Sequence, residues 1–167
     1  MCKPSVRWLA LVLVVGAAAC SPGACAERMV EEAIEAETGG EVSLDSESGA
    51  LSVSGPDGET MQVGENVPLP EDIPSFIPIY PDSVPRMVIN TGEGMQITLE
   101  VGETASAVVS WYRNQLEANG FELRSDMASP MGTVLASERG EGTLGLTIME
   151  IPNENLTAIT LMWDGGN

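Results

Sequence analysis

The side chains able to do chemistry are unevenly supplied in this chain of 167 residues: 25 Asp and Glu, nine Met, three Cys and no His. Without His there is no Ser-His-Asp or Cys-His arrangement, no imidazole metal ligand and no imidazole pH switch. The hydroxyls, Ser110 among them, therefore lack a base partner. Carboxylate pairs such as Glu31/Glu35 and Glu100/Glu103 have the residue types of a glycosidase, which sets two acids across its substrate. No aromatic platform for a sugar accompanies them, and they read as solvated charge. Asp45-Ser46-Glu47-Ser48-Gly49 and Asp57-Gly58-Glu59 offer oxygens to a cation. Neither has the twelve-residue spacing and final Glu of an EF-hand loop, and both read as acidic turns. Met127 and Met131 in SDMASPM are a loop-like thioether pair. Soft Cu(I) coordination needs more than that, and Met elsewhere in strands is core filler. The residues thus point to no catalytic site, no metal site and no cofactor, and to a protein that is not an enzyme.

Charge narrows the partners. Lys and Arg total 7, for a net charge of −18. A surface this acidic does not bind nucleic acid, which requires basic residues to neutralise phosphates. With 43% apolar and 19% charged residues, the chain has the composition of a folded protein and not of a disordered one.

The remaining reactive residues are the cysteines, and they cluster at the N-terminus. Lys3 and Arg7 form a basic head and Trp8–Val15 an unbroken apolar run. Small residues follow. This is the order of an export signal. The apolar stretch ends at Ala19, short of the roughly 20 residues needed to span a bilayer. Ala17-Ala18-Ala19-Cys20 resembles the bacterial lipobox, in which the cysteine is lipidated and becomes the first residue of the exported chain. Ala17 stands where that pattern prefers a larger aliphatic residue, and Ser21, not Asp, follows the cysteine. By the enterobacterial rule, a residue other than Asp there implies the outer membrane. The resemblance makes Cys20 the lipidation site, and residues 1–19 the signal peptide. It places the protein in the bacterial cell envelope as an outer-membrane lipoprotein facing the periplasm or the exterior. A second reading stays open. Ala24-Cys25-Ala26 is an A-x-A site, and cleavage after Ala26 would release a soluble exported protein. From Cys20 onward the chain keeps five Arg and all 25 acids, five against 25 giving −20, and has no Lys.

The elements that position these residues follow from periodicity. Residues 20–40 combine the tether with a short Glu-rich helix in ERMVEEAIEAETGG, stopped by Gly39-Gly40. Residues 41–64 alternate apolar and polar between Gly-containing turns and predict three short strands in a small β-meander. Residues 65–85 hold Pro68, Pro70, Pro74, Pro78, Pro81 and Pro85, an extended connector that cannot be helical. Its Phe76 and Tyr80 are too apolar for a free linker and are expected to anchor it on the following domain. Residues 86–164 predict the main domain. A hairpin around Gly92-Glu93-Gly94 leads to a helix from about Ala105 to Asn119 capped by Thr104, and four further strands follow. Val108 or Val109, Tyr112 and Leu116 form the inward stripe, and Gly120 provides the exit. The expected fold is α+β: an antiparallel sheet of about six strands with one packed helix, preceded by the separate meander.

This layout resembles that of small bacterial lipoproteins with no assigned activity. The shared features are the lipobox-like signal, the Glu-rich helix, the meander with Asp/Gly turns, the connector Pro74-Ser75-Phe76-Ile77-Pro78-Ile79-Tyr80-Pro81, and the helix with Trp111-Tyr112 ahead of Asn119-Gly120-Phe121. The resemblance implies a membrane held through the lipid anchor, with a protein partner that the sequence does not name. It transfers no catalytic residues. The expected role is a non-catalytic interaction or accessory module, the alternative being a soluble binding module for a small ligand or cation.

Overall fold

The computed structural model describes residues 41–44 and 49–165. The signal, Cys20, Cys25, Ala26, the Glu-rich helix and Asp45–Ser48 lie outside them. Nine strands, β1 (Glu41–Leu44), β2 (Leu51–Ser54), β3 (Thr60–Val63), β4 (Val84–Asn90), β5 (Gly94–Val101), β6 (Glu122–Ser129), β7 (Gly132–Arg139), β8 (Gly142–Ile151) and β9 (Leu156–Asp164), form one sheet. Its order is β1-β2-β3-β4-β5-β9-β8-β7-β6 and every pair is antiparallel. The helix α1 (Ala105–Ala118) carries the chain from β5 to the far edge at β6 and packs on β6, β7 and β8.

This corrects the expected six-strand sheet with a separate meander. The meander is the outer third of the sheet itself: β3 pairs with β4, Met61 opposite Ile89 and Val63 opposite Met87. A period of two marks strands and their two faces but not which edge they join. The Pro-rich segment separates β3 from β4 in sequence, so their pairing is long-range and leaves no local signature.

The helix forms for local reasons. Thr104, in an extended conformation, accepts a hydrogen bond from the Ala107 N–H at 3.4 Å and caps the first turn. At the other end Gly120, at φ +78, turns the chain out. The Phe121 N–H returns to the Leu116 carbonyl and the Gly120 N–H to that of Glu117, which satisfies the last carbonyls in a Schellman arrangement. Arg139 donates to the Asn119 carbonyl at 2.9 Å, a cation at the negative end of the helix.

Val108, Val109, Tyr112 and Leu116 are the buried stripe, as the spacing predicts. They meet Leu135, Leu144, Leu146, Ile148 and Ile159, all without solvent exposure, so the space between helix and sheet is filled with side chains. The Pro-rich segment covers the rest of this inner face. Val67 and Ile77 are buried in the same core, and the Val67 N–H donates to the Pro85 carbonyl. Phe76 packs on Phe121 and Trp163 at 6.0 and 5.4 Å between centroids, with the Arg139 guanidinium over its ring, 4.0 Å from the centroid. Tyr80 packs on Trp111 at 4.8 Å. Both aromatic anchors read from the sequence therefore serve as such, Tyr80 on the middle of α1 and Phe76 at its exit. Gly142 makes the cluster possible: a Cβ there would overlap the Trp163 ring.

Truncating Leu116 to Ala removes a fully buried side chain and is expected to destabilise the fold by about 2–5 kcal/mol. Asn114→Ala, on the exposed face, is expected to change stability by under about 0.5 kcal/mol. Gly120→Val forces a β-branched residue to positive φ and is expected to destabilise as well. Chemical denaturation of the three variants checks the assignment; an Asn114→Ala effect matching that of Leu116→Ala would overturn it.

Candidate functional site

Because the space between α1 and the sheet is packed, concave surface lies outside it: one cleft sits where residues 68–71 cross Thr60 and Gln62, and another at the rim, where the β5–α1 loop meets the β8–β9 turn. A cleft of about 570 Å³ opens there, lined by Gly102, Glu103, Thr104, Pro130, Glu150, Asn153 and neighbouring residues up to Thr157. The chain makes its floor by turn chemistry. Asn153 and Asn155 take φ of 69 and 51, the left-handed region that Asn tolerates. The buried Thr157 hydroxyl donates to the Glu103 carbonyl at 2.6 Å and ties the two loops together. A second cleft of about 310 Å³ shares Gly102 and Glu103 and adds Tyr80, Pro81, Asp82, Val101 and Trp111. The rim therefore presents carboxylates from Glu103, Glu150 and Asp82, side-chain amides, and the rings of Tyr80 and Trp111.

No Lys or Arg lines either cleft, and the described arginines are engaged elsewhere. Arg86 binds Glu100 at 2.6 Å, Arg113 binds Asp126 through two nitrogens at 2.7 and 2.9 Å, and Arg124 binds Glu138 at 2.7 Å. The Arg113 hydrogen bonds hold the Asp126 carboxyl below its ordinary pKa. That pair supports the fold above the usual carboxylate range and its contribution fades as the pH falls through and below it. The rim carboxylates consequently face solvent without neighbouring cations, in position to meet a positively charged group.

The residues singled out from sequence scatter. Glu100 lies on the sheet face away from α1, bound to Arg86, whereas Glu103 lies at the rim, so they form no carboxylate pair. The Asp57-Gly58-Glu59 segment is a closed turn, with the Gly55 N–H on the Glu59 carbonyl at 2.7 Å. Met127 belongs to β6 and not to a loop, with Met131 in the following turn, and both are exposed. Ser110 donates to the Ser106 carbonyl on the helix surface. Among the described residues no three His, Cys, Asp or Glu gather as metal ligands. None of the described helices is long and apolar enough to cross a membrane. The rim itself was missed in the sequence, because its residues come from five separated segments; the one local signal is the Pro152-Asn153-Glu154-Asn155 turn.

Residues 83–157 match the START domain-like family. The match spans β4 through the start of β9, under half of the chain, and is consistent with a helix gripped against an antiparallel sheet. It includes every lining residue of the larger cleft and ends at Thr157, the residue that closes it. No curated protein and no solved structure matches the chain.

Tyr112 is a polar cost inside the matched segment. Its hydroxyl is fully buried and completes no hydrogen bond, the Tyr80 backbone lying close by. Burial pushes its ionisation well above the ordinary tyrosine range, so it is a neutral phenol at any physiological pH. A buried donor without an acceptor costs about 1–3 kcal/mol, whereas the ring's packing is retained by Phe. Tyr112→Phe is therefore expected to leave stability unchanged or raise it by up to that amount, read from the denaturation midpoint; a loss of more than about 1 kcal/mol would mean that the hydroxyl is engaged.

Proposed function

We propose that this protein is a non-catalytic binding module tethered in the bacterial cell envelope, taking a small, positively charged ligand at the rim cleft. The observation that carries the reading is the START-like match, since domains of that kind are typically binding modules and the matched stretch contributes the whole larger cleft. The chemistry of the ligand follows from the carboxylates of Glu103, Glu150 and Asp82, which find no cation of their own in the clefts. Attraction is reinforced by the net charge of −18, which concentrates small cations at the surface and raises their encounter rate. The tether is Cys20, with lipid on the exported chain and the domain facing the periplasm or the exterior from the outer membrane. The alternative, favoured by the A-x-A site at Ala24-Cys25-Ala26, is the same module released as a soluble protein.

Two measurements test the two halves separately. Titration with small aliphatic amines and, in parallel, with Ca²⁺ alone is expected to raise the melting temperature in a saturable way. Glu103→Gln is expected to weaken the response about tenfold, the equivalent of one charged hydrogen bond of about 1.5 kcal/mol. A wild-type response absent for both probes, or unchanged in Glu103→Gln, overturns the cleft. For the tether, Cys20→Ala is expected to abolish acyl labelling and to move the protein to the soluble fraction. Labelling that persists in Cys20→Ala, or a wild-type protein that begins at Glu27, supports release after Ala26 instead.

A further inference from the structure

The two faces of the sheet reverse their polarity along its width. On β5, β9 and β8 the apolar side chains point to α1, while Gln96, Thr98, Thr160 and Thr147 occupy the outer face. On β2 and β3 the inner positions are Ser52, Ser54, Thr60 and Gln62, and the apolar residues point outward. Register places Val42 beside Val53, Met61 and Ile89 in one outer row, with Leu51 and Val63 in the next. These rows contain no charge, in a chain with 25 acids.

An amphipathic strand buries its apolar side against something. Among the described residues no helix or strand lies over this outer face: α1 packs on β6, β7 and β8 from the inner side, and residues 68–71 of the Pro-rich segment lie against Thr60, Gln62 and Val88, also inside. Yet Val42, on β1 at the edge of the described sheet, is only 4% exposed. The cross-strand neighbours on β2 do not bury an edge residue so far, and the six residues between β1 and β2 are too few to cover a face.

The chain that enters β1 has the right form. Forty residues precede Glu41, and the last fourteen read as a short helix ending in Gly39-Gly40 beside the edge strand. Met29, Val30, Ala33 and Ile34 fall on one side of that helix, and Glu31, Glu32 and Glu35 on the other. Eleven helical residues extend about 16 Å, and strands about 4.8 Å apart make that a span of three to four strands. The apolar part of the outer face is four strands wide, β1 to β4. Such a helix is marginal alone, and an apolar surface to dock on is what it needs.

We infer that residues 27–40 dock as an amphipathic helix across the outer face of β1–β4, with Met29, Val30, Ala33 and Ile34 against Val53, Met61 and Ile89. The sheet is then covered on opposite faces at its two ends, by α1 at one and by the N-terminal helix at the other. Docking does not depend on acylation. Where Cys20 carries lipid, docking leaves a leash of residues 21–26, at most about 20 Å, so the domain is held close to the membrane.

Hydrogen exchange on the exported chain, residues 20–167, tests the inference. Amides of residues 30–38 are expected to exchange at least about tenfold more slowly than unstructured ones. Met61→Asp, which sets a charge in the docking surface, is expected to abolish that protection and to speed tryptic cleavage after Arg28, while β8 and β9 stay protected. Ile34→Asp alters the other partner and is expected to raise exchange in β2 and β3. Unstructured rates for residues 30–38 in the wild type overturn the inference, whether or not Met61→Asp folds. Protection that survives both variants overturns it too. Outer-face protection that rises with concentration alongside a dimer in sedimentation, with residues 30–38 unprotected, assigns the face to a second copy and overturns it as well.

Discussion

One helix is too narrow for this sheet. An α-helix with its side chains is about 10–12 Å across, and nine strands about 4.8 Å apart extend over roughly 38 Å. α1 shields β6, β7 and β8, and the remaining inner apolar surface of β4, β5 and β9 would face water without a second cover. The Pro-rich segment is that cover. Its prolines keep it extended, and its apolar residues, Val67, Ile77, Phe76 and Tyr80, go down onto the sheet, the middle of the helix and its exit. An extended strap is thin, so it can wrap a surface where a helix would not fit. It also explains the aromatic content, since all six described aromatic residues sit where strap, helix and sheet meet.

Filling the inner face this completely moves recognition outward. With Tyr112, Leu116 and Val108 seated on the β7, β8 and β9 side chains, helix and sheet hold each other, and concavity persists where loops meet at the N-terminal end of α1. The loops there are held by the Thr157 hydroxyl and by turn residues at positive φ. Arginines reinforce the same division. Arg113, Arg124 and Arg86 are spent on carboxylates of the sheet, and Arg139 on the helix terminus and Phe76. What remains at the rim is negative, in keeping with a cationic ligand.

The reversed polarity of β2 and β3 shows how a sheet can be extended beyond its core. A strand added to the edge with its apolar residues in phase with the core would have demanded more strap or more helix on the inner side. With the phase shifted by one residue, the inner side is Ser, Thr and Gln, which water satisfies, and the apolar burden passes to the opposite face. The period of two makes that shift complete.

Local chemistry was legible in the sequence. Thr104, the four-residue spacing of Val108, Tyr112 and Leu116, and the Asn119-Gly120-Phe121 exit define α1 to within a residue of its observed end, because caps and stripes involve neighbours a turn apart. The strands of the main domain were legible for the same reason, as alternation bounded by glycine and proline. The anchoring by Phe76 and Tyr80 followed from their apolarity in a segment unable to fold on itself. Tertiary structure alone decided that the meander joins β4 to make nine strands, that the polarity inverts along the sheet, and that Glu103, Glu150, Asp82 and Trp111 share one rim. Those facts depend on which edge pairs with which and on loops far apart in the chain. Backbone hydrogen bonds between strands are the same for every residue type, so no residue records its partner.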